Sequence, residues 1–538
     1  MRKKIISLLL AFGLALTCTA CGGQKVDDKD PRPAIYVSVF NGGYGREWLD
    51  NIVRDYNTSH PENAYKIAVR SSKDEFTKVL ADVQSGTAPY DMFYTNNYVY
   101  KLINGGYVEE LSSVWDSKPD GTRTIREMMV GAEEYAAAYG DGKGGVYAIP
   151  HQESLRMFVY DHDLFLKYGL LFNEDGDFIS SPTETLSKGK DGVQGTYDDG
   201  QPITEEQWES MAIKATQNLG YAFNYTSKFG MYCNTIYEMI AAQYDGVENY
   251  LMNWTFDGSY DFGNGETEIT LNNGYMLSKL TGKRVAMEFM DKYLAVKDAT
   301  LGIVNPYTYP SSSGLSYSHT DAQSDFITFT AKNKRNRIGM LVEGDWWENE
   351  SKDLFNDLYD AGYTDYKFRT HNYRFMTLPL FEGQKESGSV YDIADNMYLC
   401  LLKKTSADKK AICKDFMTFA YKEQYIRNYT VISGGVMPYD VELSAEEKAQ
   451  LSPFTKNFLE LYQDREHNKF INTQLYANKY DTARAGIVNT ASCGDYYVVI
   501  NGLYYLSAEQ YLTKMYNKRV SEWNTMVDTY ETYMRSKV

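Results

Sequence analysis

The stretch GMLVEGDWWENE, residues 339–350, sets Trp346 and Trp347 side by side among Glu343, Asp345, Glu348 and Glu350. The whole chain of 538 residues holds 7 tryptophans. Three chemistries fit these residue types. Two carboxylates flanking a glycosidic bond can hydrolyse it. An indole face can hold an apolar, hydroxyl-rimmed surface by stacking, with no bond broken. Asp345, with Glu348 at the third position after it, also matches the N-cap pattern of an ordinary helix. Successive residues at a helix start point about 100° apart. One indole can then face a cleft while its neighbour packs inward.

Other residues suit hydroxyl recognition. Asn41 and Tyr44 stand in NGGYG, where glycine lets backbone approach a ligand closely. Asn96 and Asn97 each offer a donor and an acceptor. Asp74 and Glu153 offer acceptors only. Each also has a plain structural reading, a loop, a turn or a surface acid. In DGVQGTYDDGQP, residues 191–202, Asp191, Asp198 and Asp199 supply oxygens that suit a structural calcium ion, although the spacing is not that of an EF-hand. The alternative is an acidic solvated loop. No other cofactor is expected. No Gly-x-Ser-x-Gly elbow, HExxH, P-loop or dinucleotide fingerprint occurs, and the 6 histidines do not cluster. No residue is assigned a catalytic role.

The elements that position these residues alternate. AIYVSVF (34–40) is an apolar, β-rich run, followed by Trp48, Leu49, Ile52, Val53 and Tyr56 at helical spacing. AYKIAVR predicts a second strand, and Phe76, Val79, Leu80 and Val83 a second amphipathic helix ended by Ser85 and Gly86. YDMFYT predicts a third strand. Strand, helix, strand, helix, strand is the order of an α/β lobe with a mostly parallel sheet. Residues 144–170 break that rhythm with two extended runs and a short helix. Residues 171–204 are acidic, turn-prone and rich in glycine. Thr204 with Gln207 forms a capping box for a helix over 205–218. NRIGMLV and NMYLCLL read as strands, SADKKAICKDFMTFAYKEQYIRNY as one helix, and the last hundred residues as mainly helical.

Composition bounds the partners. Hydrophobic residues make up 43% and charged residues 24%, as in a globular protein, and the formal charge is −17. An acidic chain with no basic stripe repels phosphate backbones, which excludes nucleic acid. Aromatic residues reach 15%, which suits sugar recognition. MRKK, IISLLLAFGLALT and CTACGG form the basic, apolar and small-residue regions of an export signal. It resembles a bacterial lipoprotein signal cut before Cys21, which is then lipidated. Residues 24–33 read as a tether. Cys233, Cys400, Cys413 and Cys493 match no zinc spacing, and unpaired buried thiols are the expected state.

Together, FNGGYGREWLDNIVRDYNTSHPE, DEFTKVLADVQSGTAPYDMFYTNN, GVYAIPHQESLRMFVYDHDLF, RIGMLVEGDWW, MTLPLFEG and KDFMTFAYKEQYIRNYTVISGGVMP resemble, in order, an extracellular solute-binding lipoprotein of an ABC transporter. The group is the carbohydrate-binding one (family 1), related to maltose-binding protein. That resemblance implies a two-lobed periplasmic-binding-protein-like fold (type II) of α/β class, each lobe a mostly parallel sheet flanked by helices, with the ligand cleft between. It sets lobe one at 34–150 and 376–435, lobe two at 151–375, and a C-terminal helical region at 436–538 packing on both. The implied protein is a monomer on the extracellular face of the cytoplasmic membrane, held there by lipid alone. It captures an oligosaccharide for a permease and is not an enzyme. Its site comprises Asn41, Tyr44, Asp74, Asn96, Asn97, Glu153, Asp345 and Trp346, and the family's matching motif turns the residue equivalent to Trp346 toward the sugar. A surface-anchored glycoside hydrolase and a carbohydrate-binding adhesin are the alternatives.

Overall fold

The computed structural model describes residues 30–72, 76–96, 99–140, 144–295, 306–312, 315–477, 500 and 506–537. Its strands are β1 (Ala34–Phe40), β2 (Lys66–Ser72), β3 (Met92–Thr95), β4 (Ile149–Asp161), β5 (Gly220–Asn224), β6 (Gly258–Asp261), β7 (Glu266–Ile269), β8 (Arg337–Gly344), β9 (Tyr373–Met376), β10 (Ser389–Leu401) and β11 (Asn468–Ile471). One sheet runs β2-β1-β3-β10-β4-β8-β5, with β9 added to β4 and β11 to β10; β6 and β7 form a separate hairpin.

The sheet is mixed. Its wings are parallel, β1 with β2 and β3 on one side and β5 with β8 on the other. Its middle is antiparallel, β10 with β3 and β4, and β4 with β8 and β9. The reason lies in the two longest strands. β4 and β10 each span 13 residues, and each runs through both wings. β4 pairs with β10 over Ile149–Leu155 and with β8 over Arg156–Tyr160. Residues 144–170 therefore hold one continuous strand where two extended runs were expected, because all thirteen residues of β4 are buried. The helix His162–Lys167 follows, capped by Asp161, whose carboxylate accepts from Leu164 N–H at 2.9 Å.

Two hydrophobic cores flank this crossing. One gathers residues from Ile35 to Ile149 and from Met397 to Tyr439. The other gathers Leu155 to Ile393 and continues through Val436 to Val527. Between them β4 carries the buried polar run His151, Gln152, Glu153 and Ser154, and β10 carries Asn396. Two cores separated by a polar seam are two lobes, joined by the crossing strands.

Local chemistry explains most elements. Helix Glu47–Ser59 buries Trp48, Leu49, Ile52, Val53 and Tyr56, the stripe that its spacing predicts. Helix Glu205–Leu219 opens on the Thr204 and Gln207 capping box, with both bonds present. The helix expected over 406–429 is two, Ala407–Ala420 and Glu423–Ser433, broken at Tyr421 and Lys422. Beyond it, helix Pro453–Gln463 is followed by β11, a strand the helical reading of the C-terminus omits. Helix Ala508–Lys537 packs against the turn Leu271–Lys279 and the helix Thr281–Tyr293. Cys233, Cys400 and Cys413 are buried free thiols, and burial raises all three pKa values. Cys493, like Cys21, lies outside the described residues. Among the described residues, no helix is long and apolar enough to cross a membrane.

Candidate functional site

A cavity of about 340 Å³ opens between the lobes, walled by both of them and by the crossing strands. On the first lobe β1 ends at Phe40 and the chain turns through residues 41–45 before its first helix. Gly45 has φ +65°, a left-handed conformation that glycine adopts without strain. Gly43 must be glycine for a different reason. A Cβ there would lie 2.6 Å from Cδ1 and 2.8 Å from Cβ of Trp346, on the opposite lobe.

This loop is tied across the cleft. The Tyr44 hydroxyl donates to Asp345 Oδ2 at 2.8 Å and lies 2.8 Å from Ser154 Oγ on β4. Asn349 Nδ2 donates to Gly43 O at 2.6 Å. Asp345 takes Leu155 N–H on its other oxygen at 3.0 Å. Its carboxylate is thus spent between β4 and the Tyr44 loop. This corrects the N-cap expectation: helix Trp347–Glu350 has Trp346 at its N-cap position, with no side-chain cap bond.

The two tryptophans part company. Trp346 lines the cavity, with the Arg156 guanidinium carbon 5.2 Å from its ring centroid and the Tyr44 and Tyr232 rings edge-on, each at 6.1 Å. Trp347 is fully buried among Phe326, Phe355, Tyr373 and Phe454. Of the acids around them, Glu350 alone belongs to the cavity lining. Glu348 is buried and accepts from Ser452 Oγ at 2.6 Å, and burial pushes it up to about 7. Glu343 accepts from Gly344 N–H and Gln323 Nε2; burial, with the neighbouring Glu350, pushes it well above the usual carboxylate range.

Tyr44, Asn96 and Trp346 are brought together around the cavity, with Asp345 directly behind Tyr44. Asn41 is exposed and outside the lining. Asp74 and Asn97 lie outside the described residues. Glu153 is buried away from the cavity, its oxygens taken by the hydroxyls of Tyr135 and Tyr462, each at 2.5 Å. Its neighbours on β4, Gln152, Ser154 and Arg156, line the cavity instead. Alternate residues of a strand face opposite sides, which puts 152, 154 and 156 on one face and 153 on the other, but polar types run unbroken through 151–154 and leave the cleft face unmarked. Glu350, one of the acids around the tryptophan pair, also lines it, as do Tyr232, His319 and Asn396, which no local pattern marks.

The 191–199 loop gives its acids another task. Asp198 Oδ2 accepts from the N–H groups of Lys190 and Asp191, Asp199 Oδ2 from that of Gly195, and Asp191 Oδ1 from that of Val193. Asp198 and Asp199 are buried, while residues 192–195 of the loop are exposed. The calcium expectation finds no cage here: among the described residues no group of three or more His, Cys, Asp or Glu is placed to hold a metal ion. The loop is a strut. Its Lys190 Nζ reaches Ser389 Oγ at 2.7 Å, and its Tyr197 hydroxyl donates to Asp464 at 2.9 Å.

Residues 42–276 match the family model of the bacterial extracellular solute-binding protein. No curated protein is significantly similar to the chain in sequence. Among solved structures, one from work on xylan utilization by Caldanaerobius polysaccharolyticus aligns with TM-score 0.57 at 14% identity, over 90% of this chain and 99% of that one. A chitin oligosaccharide binding protein aligns with TM-score 0.55 at 13% identity, over 92% and 99%. A maltose-bound protein of T. maritima aligns with TM-score 0.53 at 12% identity, over 90% and 98%. At these identities the likeness carries the fold: two α/β lobes with a cleft between them.

Proposed function

We propose that this chain, whose residues 42–276 match the model of the bacterial extracellular solute-binding protein family, captures an oligosaccharide in its cleft and delivers it to the permease of an ABC transporter. The observation that carries the reading is the wall of the cavity. Aromatic groups from both lobes, Tyr44 and Trp48 on one and Tyr232 and Trp346 on the other, stand around the amides Asn96, Gln152 and Asn396. Sugars present apolar C–H faces ringed by hydroxyls. Aromatic faces match the first and amides, both donor and acceptor, match the second. The three solved relatives named above have xylan, chitin oligosaccharide and maltose in their descriptions, which supports a sugar as the ligand.

Ligand touching both lobes stabilises the closed arrangement, with β4 and β10 as the hinge, and so shifts the population toward it. Bond cleavage is not part of the reading. Glycoside hydrolysis uses two carboxyl groups across the scissile bond, and Glu350 is the one carboxylate among the described lining residues. Lipid on Cys21 holds the protein to the outer face of the membrane, in reach of the permease.

The test is a thermal-shift panel with maltotriose, xylotriose and chitotriose. A ligand at 100 times its dissociation constant should add about 2.7 kcal/mol to stability, and the same incubation should yield no new reducing ends. A flat panel, or reducing ends that persist after repurification, would count against the reading.

A further inference from the structure

One cavity residue is fixed by a chain of hydrogen bonds that begins outside the cavity. Glu350 ends the short helix Trp347–Glu350 and lines the cavity wall. Gln323, buried on the helix His319–Ala331, donates through Nε2 to Glu350 Oε2 at 2.7 Å and to Glu343 Oε1 at 3.0 Å. Ser351 Oγ donates to Gln323 Oε1 at 3.0 Å. With the amide oxygen taken by a hydroxyl, the amide nitrogen can face only the two acids. Gln323 therefore has one orientation, and it sets that of Glu350.

The two acids differ. Glu343 is fully buried and held toward its protonated form by burial. Glu350 is partly open, with a side-chain exposure of 21%. Its Oε2 is committed to Gln323, while Oε1 has a looser contact, His319 Nε2 at 3.5 Å. His319 also lines the cavity, and its Nδ1 is buried without a hydrogen-bond partner among the described residues. An oriented carboxylate and an unserved ring nitrogen stand together beside the Tyr232 ring, which stacks on His319.

We infer that Glu350 is the residue that accepts a ligand hydroxyl and sets specificity, that Gln323 is its positioning residue, and that the pair selects a sugar neutral at the end seated against them. The inference rests on the sugar-binding reading. A carboxylate in a part-buried cavity makes strong bonds to O–H donors and repels a second carboxylate. Arg156 supplies the opposite charge over the Trp346 and Tyr232 rings, so the exclusion is local to the Glu350 end.

The test is calorimetry on the full chain with maltotriose, xylotriose and chitotriose as neutral probes and trigalacturonate as the acidic one. The wild-type protein should bind a neutral probe and prefer it to trigalacturonate. Glu350→Gln should weaken the best neutral probe by roughly 10- to 100-fold, the span expected for a hydrogen bond to a charged group, and should narrow the preference. Gln323→Leu should weaken it too, yet add nothing in the Glu350→Gln background. General damage to the fold would add in both backgrounds and would show in the melting temperature. Neutral-sugar binding left within about twofold in Glu350→Gln, where the lost bond should cost tenfold or more, would overturn the assignment and leave the sugar-binding reading standing. Tighter binding of trigalacturonate than of every neutral probe would overturn the exclusion. No binding of any probe by the wild-type protein would overturn the sugar-binding reading, and this inference with it.

Discussion

Trp346 and Trp347 are adjacent in sequence and have opposite surroundings. Trp347 has no exposed surface and sits in a cage of four aromatic rings. Trp346 retains 9% exposure, all of its setting belonging to the cleft: Gly43 and Tyr44 from the first lobe, Tyr232 and Arg156 from the second. Their truncations should separate. Trp346→Ala should cost about 1–3 kcal/mol of sugar binding, by analogy with aromatic stacking on other flat ligands, and leave the fold intact. Trp347→Ala should cost about 3–5 kcal/mol of stability, read by denaturant unfolding, with binding unchanged in the fraction that folds. Full affinity in a folded Trp346→Ala variant would remove the stacking assignment. That the two indoles diverge was legible in the sequence, since a helix start rotates successive residues apart; which of them faces the cleft was expected only from the family resemblance. The role of Asp345 was not. Its partners, Leu155 and Tyr44, lie 190 and 301 residues away, and a local cap is the nearest pattern a sequence offers.

At the scale of elements, periodicity was a good guide where one face of an element met one core. Helix Glu47–Ser59 and the capped helix Glu205–Leu219 follow their spacing closely. It failed where an element serves two environments. β4 is buried along its whole length because it passes between two cores, so no alternation of polar and apolar types marks which face meets the cleft. Glu153 and its neighbours Gln152, Ser154 and Arg156 look equally eligible in the sequence. Only the pairing register separates them, placing Glu153 on the side of Tyr135 and Tyr462. β11 escaped notice for a related reason. It is a four-residue strand whose pairing partner, β10, lies about eighty positions earlier. The export segment is an element of another kind, read by composition alone. We propose lipidation at Cys21, and Cys21→Ser should abolish incorporation of a labelled lipid precursor and leave the precursor uncut there. Undiminished labelling of that variant would move the anchor to Cys18, the other cysteine of CTACGG.

For the whole molecule, the arrangement described above is a closed one. Tyr44 reaches Asp345, Asn349 reaches Gly43, and Gly43 lies against Trp346 across the cleft. The Tyr44 hydroxyl also reaches Ser154 on β4, and each lobe has its own extensive core. We propose that the lobes separate about β4 and β10 with each core intact, as hinged domains that close on a ligand do. A ligand that contacts both walls favours the closed form by as much as its affinity differs between the two forms. On the proposed function, sugar closes the cleft, so binding is mechanical as well as chemical. Small-angle X-ray scattering of the protein with and without a saturating neutral oligosaccharide tests it most directly. We expect the radius of gyration to fall on sugar addition, toward the value calculated from the closed arrangement. A radius that does not change, at a concentration where calorimetry shows the site to be filled, would contradict it.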